Sequence, residues 1–190
     1  MKKEKLGALV FWASLLVLAV CAFLLAGRPT LIPTGIPGDA VAFGMGAEEV
    51  TQTAGPPDGT RSENGVRTGF FLYYYQREVL GCPATVSYTF HGRQENPRAR
   101  VAEAAVDMEF TTQAECDRML EALCAHFREL MEGEPRFDEY GSEGPVRAWD
   151  PPELLRSRSI TSARRSVFIS QFPCRIFLEV RGERVTEKEE

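Results

Sequence analysis

The chain is 190 residues long, with 44% hydrophobic and 26% charged residues and a formal charge of −5. That composition excludes a disordered chain and is enough for one compact domain with extensions. Residues 29–190 carry 18 basic against 26 acidic groups, which excludes a protein that holds duplex nucleic acid through its phosphates.

Residues 1–5 form a short basic N-terminus, and Leu6 to Gly27 is a run of 22 uncharged residues. As a helix, 6–27 would be roughly 33 Å long, against a bilayer core of about 30 Å. Lys2, Lys3 and Lys5 on one side and Arg28 on the other predict a single-pass signal anchor, with the N-terminus cytoplasmic and the rest of the chain outside. Two alternatives stay open. One is a signal peptide cut near Val20-Cys21-Ala22. The other is a lipoprotein signal, with Leu18-Ala19-Val20 leading to Cys21. Residues 28–40 hold three prolines and two glycines and predict an extended linker.

An α+β domain is expected over 41–182, followed by a charged tail at 183–190. Residues 44–54 predict a short helix with Glu48 and Glu49 near its start, stopped at Gly55-Pro56-Pro57-Asp58. A polar loop from Asp58 to Arg67 leads into a strand from Thr68 to Glu78, which contains the aromatic run Phe70-Phe71-Leu72-Tyr73-Tyr74-Tyr75. Ala84, Val86, Tyr88 and Phe90 alternate with Thr85, Ser87 and Thr89, and Ala104, Val106, Met108 and Phe110 alternate with polar residues. Each pattern predicts a half-buried strand. Thr112 with Glu115 reads as a capping box. From there Cys116, Met119, Leu120, Leu123, Cys124, Phe127, Leu130 and Met131 mark the apolar stripe of a long helix that ends at Gly133-Glu134-Pro135. A short strand at Val146–Trp149, a helical turn at Asp150-Pro151-Pro152 and a loop over Arg156–Arg165 follow. Two strands, Ser166–Phe172 and Cys174–Arg181, then form a hairpin at Pro173.

The order predicts helices packed on one face of an antiparallel sheet. It also suggests two α-β-β-β repeats, 41–110 and 111–182, because both helices end in a Gly-x-Pro stop. The alternative is a single α+β sheet with unrelated helices.

Residues 43–58, PheGlyMetGlyAlaGluGluValThrGlnThrAlaGlyProProAsp, resemble the motif of the SmpA/OmlA (BamE-like) envelope family. The matching residues are Gly44, Met45, Glu49, Val50, Gly55 and Pro57, and Tyr73 to Tyr75 stand where that family has an aromatic strand. The resemblance covers about 38–110, and two such units in tandem would look like β-lactamase inhibitor protein and its relatives. Gly46 replaces the usual Ser or Thr cap, and residues 111–190 lack the Gly-Met start. The resemblance implies a noncatalytic interaction module.

No catalytic constellation stands out. Cys82, Cys116, Cys124 and Cys174 lie in the region expected outside, without a Cys-x-x-Cys. Cys116 and Cys124 share one helix about 12 Å apart along its axis and cannot bridge each other. A bond from Cys82 or Cys174 to the helix and buried free thiols are both open. His126 reads as a helix-flank residue and His91 as a loop residue, and Lys188 in the tail is a poor base for a Ser/Lys peptidase. No phosphate loop, zinc helix, calcium loop or cofactor site is evident. The Arg156, Arg158, Arg164 and Arg165 loop reads as solvated, with lipid head groups or an acidic partner as the alternative.

Alternation along the aromatic strand puts Phe70, Leu72 and Tyr74 on one face and Phe71, Tyr73 and Tyr75 on the other. One set goes under the helices, and the other is either covered by the second half of the domain or exposed as a partner site; Phe71, Tyr73 and Tyr75 are taken as the partner-binding set. The expected function is a membrane-anchored, extracytoplasmic, noncatalytic binding or assembly module contacting another envelope protein. The alternatives are a small-molecule sensory domain, or an anchored hydrolase built from scattered residues such as His91 with acids.

Overall fold

The computed structural model describes residues 31–64, 69–94, 96–141, 144–149 and 164–183, all within the compact unit Leu31–Glu190. In chain order the elements are β1 (Ile32–Pro33), β2 (Ala42–Phe43), α1 (Ala47–Ala54), β3 (Gly59–Asn64), β4 (Gly69–Val79), β5 (Cys82–His91), β6 (Arg100–Glu109), α2 (Gln113–Leu130), β7 (Arg136–Gly141), β8 (Gly144–Trp149), β9 (Arg164–Phe172) and β10 (Arg175–Glu183).

β3 to β10 make one eight-stranded antiparallel sheet in the order β3-β4-β5-β6-β10-β9-β8-β7. The order reads the same from either edge when each strand of the first four is exchanged for the strand four places on. Each helix is thus followed by a four-stranded meander, and the two meanders join where β6 pairs β10, with Val106 opposite Leu178.

Local chemistry explains the elements. α2 starts where Thr112 Oγ1 accepts from the Glu115 N–H and the Thr112 N–H donates to Glu115 Oε2 at 3.1 Å. In α1 the Glu49 carboxylate accepts from the Gly46 N–H at 2.7 Å, and Gly55, at φ 85°, ends the helix by donating to Thr51 O. β4 and β5 turn through Leu80 (φ 51°) and Gly81 (φ 77°), the paired left-handed conformations of a type I′ hairpin.

One face of the sheet is buried. From β4 it takes Phe71, Tyr75 and Val79, from β5 Ala84, Val86, Tyr88 and Phe90, and from β6 Val101, Ala104, Val106 and Met108. From β9 and β10 it takes Val167, Ile169, Ile176, Leu178 and Val180. Val50 of α1 and the α2 stripe from Cys116 to Phe127 belong to the same core. Phe127 meets Trp149 at 6.0 Å between ring centroids, and the Trp149 indole N–H donates to Gly133 O at 2.9 Å. Leu130, expected on the stripe, is 40% exposed.

Residues 31–40, read as part of a linker, pack against the domain instead. β1 and β2 pair, Thr34 and Ile36 are buried, and Phe43 lies against Gly182 of β10. This β1–β2 strap is tied down by side chains. His126 Nε2 donates to Gly35 O at 2.8 Å, and the Arg165 guanidinium donates to Pro33 O.

The expected fold class needs correction. The described chain is dominated by one large antiparallel sheet with two helices, rather than being an α+β arrangement of helices packed on a sheet behind an N-terminal transmembrane helix. Each helix precedes four strands, not the expected three. The added strands, β3 and β7, are the two edges of the sheet. An edge strand pairs through its backbone on one side and needs no apolar alternation, so neither strand carries a signal in the sequence.

The expected single-pass anchor, and with it the cytoplasmic N-terminus and external domain, finds no support. Among the described residues no helix is long and apolar enough to cross a membrane. α1 has only eight residues, and α2, although longer, carries Glu115, Asp117, Arg118, Glu121, Arg128 and Glu129. The run 6–27 itself lies outside the described residues, as do Asp150-Pro151-Pro152, Arg156, Arg158 and Lys188.

Candidate functional site: the open face of the sheet

The aromatic strand β4 is apolar on both sides, so only its pairing decides which side is which. Phe71 stands opposite Phe90, Tyr73 opposite Tyr88 and Tyr75 opposite Val86. β5 has one unambiguous apolar face, and antiparallel partners share a face, so Phe71, Tyr73 and Tyr75 turn into the core. Phe71 is 1% and Tyr75 3% exposed, and Tyr73 packs against the core from its margin. The Phe71 and Phe90 rings stack at 4.5 Å, and Tyr75 meets Tyr88 edge-on at 5.6 Å. Of the expected partner-binding set, Phe71 and Tyr75 are thus part of the core, and Tyr73 is partly buried at its margin.

The opposite face carries Phe70, Leu72 and Tyr74 of β4, all half-buried and outside the core cluster. Across the sheet β9 and β10 contribute Phe168, Phe172 and Phe177 to the same face, again half-buried and outside the core. Sequence reasoning missed this second group. Its signal was present for two of the rings, because Phe168 lies between the inward-turned Val167 and Ile169 of β9 and Phe177 between the inward-turned Ile176 and Leu178 of β10. A half-buried strand needs only one apolar set, so a second set facing the other way asks for a use.

Between the two aromatic groups the face is polar and largely self-satisfied. Thr85, Ser87 and Thr89 line β5. Arg175 donates to both carboxylate oxygens of Asp107, from Nε at 2.8 Å and from Nη2 at 2.6 Å. Arg181 pairs with Glu179 and lies 5.4 Å from the Phe168 ring centroid. These pairs are about half exposed, so they add little stability, but they cancel charge at the centre of the face.

The densest polar constellation lies on the other side, under the strap. Asp39, whose side chain is 3% exposed, accepts from Thr34 Oγ1 at 2.7 Å, Tyr88 OH at 2.8 Å and the Val41 N–H at 3.1 Å. Arg77 approaches Asp39 at 3.8 Å, stands over the Tyr75 ring and donates to Ala54 O at 2.9 Å. Burial pushes the Tyr88 phenol well above the ordinary tyrosine value, and the neighbouring Asp39 charge pushes it further. The cluster fastens the strap to β4 and β5.

The remaining candidates are dispersed. His91 and Glu103 approach at 3.9 Å on the open face, with side chains 66% and 36% exposed. A cleft of about 250 Å³ between α2 and β8 is lined by Leu120, Glu121, Cys124, Arg128, Pro135 and Arg147, smaller than a usual ligand pocket. Arg128 is held there by Glu134 at 2.7 Å. Among the described residues no group of three His, Cys, Asp or Glu is placed to hold a metal ion. No family model matches the chain, and neither curated proteins nor solved structures match it.

Proposed function

We propose that the domain is a noncatalytic protein-binding module and that its open sheet face is the docking surface. The observation that carries this reading is the apolar set Phe70, Leu72, Tyr74, Phe168, Phe172 and Phe177, which stands outside the core on the face opposite the helices' buried stripes. An antiparallel sheet needs only one apolar face to fold, and half-exposed aromatic rings are the usual anchors of a protein interface. The paired charges between the two groups can be covered without leaving an uncompensated ion. The resemblance of residues 43–58 to the SmpA/OmlA family, whose members are interaction modules, adds to the reading.

The test places a photoreactive phenylalanine analogue at Tyr74, at Phe177 and, as a control on α2, at Leu130, each in the full chain inside cells. The reading expects Tyr74 and Phe177 to capture the same discrete partner, with Leu130 silent and capture abolished by Phe70→Ser with Phe168→Ser. Capture without distinction between the two faces, or none from either aromatic group, would overturn it.

A further inference from the structure

We propose that Cys116 and Cys174 form a reversible dithiol–disulfide pair that staples the first turn of α2 to the β9–β10 turn. The four described cysteines are free thiols, Cys116 fully buried and Cys174 half-buried. The β9–β10 turn is clamped to the first turns of α2 at two points and to the segment leading into it at a third. The Phe110 N–H donates to Cys174 O at 2.8 Å, the Cys174 N–H donates to Gln113 Oε1 at 3.1 Å, and Gln171 Nε2 donates to Asp117 Oδ1 at 2.8 Å. Cys116 lies one helical turn beyond Gln113, on the side that faces this clamp.

The Gln171 side chain, the backbone N–H of Arg175, whose nitrogen is bonded to the carbonyl carbon of Cys174, and the Cys174 thiol all act on the Cys116 thiol. The two cysteines thus stand on the two sides of one clamp, Cys116 on α2 and Cys174 on the turn that α2 holds. Cys174 also holds a backbone angle of φ 54°, at the second position of a two-residue turn after Pro173. Glycine or asparagine is the usual residue at a left-handed turn position. A cysteine there is a departure from the rule at the residue the clamp positions.

Chemistry assigns the order of events. Burial raises the Cys116 thiol above the ordinary cysteine value, so Cys116 is the weaker nucleophile at neutral pH. The half-exposed Cys174 attacks a small disulfide such as oxidised glutathione, releasing one glutathione thiol and leaving a mixed disulfide. Cys116 then displaces the second glutathione. The two protein thiols give up two hydrogens, and the S–S bond of the oxidant becomes two thiols. The closed loop spans about 58 residues, which restricts the unfolded chain strongly.

The experiment equilibrates the full-length protein in glutathione buffers from fully reduced to fully oxidised, followed by peptide mapping without reductant and thermal unfolding. The expected result is a Cys116–Cys174 crosslinked peptide that grows with oxidant, with a Tm rise on the order of 10 °C or less. Adding reductant should reverse both changes. Cys174→Ser should abolish them, whereas Cys82→Ser and Cys124→Ser should keep them. The wild-type mapping stands even if Cys116→Ser folds poorly. The proposal is overturned if only glutathione adducts form, or if the dominant product joins other cysteines or two chains.

Discussion

Replacing Asp39 with Ala should detach the strap, and the cost follows from its partners. The carboxylate accepts from Thr34, Tyr88 and Val41 at 2.7–3.1 Å while its side chain is 3% exposed. A hydrogen bond to a charged group contributes about 1.5–3 kcal/mol net, and an orphaned buried donor costs about 1–3 kcal/mol. Against this, removing the carboxylate returns its own desolvation penalty, several kcal/mol. The Arg77 contact, at 3.8 Å and partly exposed, adds under about 1 kcal/mol. The balance is a loss of about 3–4 kcal/mol, a large part of a typical stability of about 5–15 kcal/mol.

In urea that should lower the unfolding midpoint by about 2 M at an m-value of about 2 kcal/mol/M. Asp39→Asn keeps one acceptor oxygen and should lose about half as much. Tyr88→Phe removes a single donor and should cost about 1 kcal/mol. Limited proteolysis between residues 31 and 41 should accelerate in parallel. A loss below about 1 kcal/mol for Asp39→Ala, with unchanged proteolysis, would show that this cluster does not hold the strap, and the reasoning would fail.

Two further outcomes follow from the same geometry. A Cβ added at Gly182 would stand 2.4 Å from Cγ and 2.9 Å from Cβ of Phe43. Gly182→Ala should therefore cost about 1–3 kcal/mol in denaturant unfolding, and Phe43→Leu should recover part of it in the double variant. The Tyr88 phenol is raised above 10.0 in the folded state, so the folded chain holds that proton more tightly than the unfolded chain. Its contribution to stability is complete below about pH 10 and is lost as pH rises further. Tyr75 is raised in the same direction, chiefly by burial and against the opposing charge of Arg77. Midpoints measured from pH 9 to pH 12 should fall above pH 10, and less steeply in Tyr88→Phe. An identical fall in the variant would remove Tyr88 from the explanation.

The sequence by itself determined the elements whose cause is local. The Thr112–Glu115 capping box and the Cys116–Phe127 stripe specified α2, and the period-two alternation of Ala84, Val86, Tyr88 and Phe90 specified β5 and its buried face. Such signals lie within a few residues and need no partner to be read. Tertiary structure decided the rest. The edge strands β3 and β7 exist because β4 and β8 offer them backbone groups, not because their own side chains alternate. The strap looks like a linker until Thr34, Asp39 and His126 find partners up to 91 residues away. The candidate site turned on the same point. Six successive apolar residues at 70–75 fit either facing of β4, and a register shift of one residue would exchange them. Only pairing with β5 sent Phe71, Tyr73 and Tyr75 inward and left Phe70, Leu72 and Tyr74 on the open face, which they share with phenylalanines about a hundred residues distant in sequence.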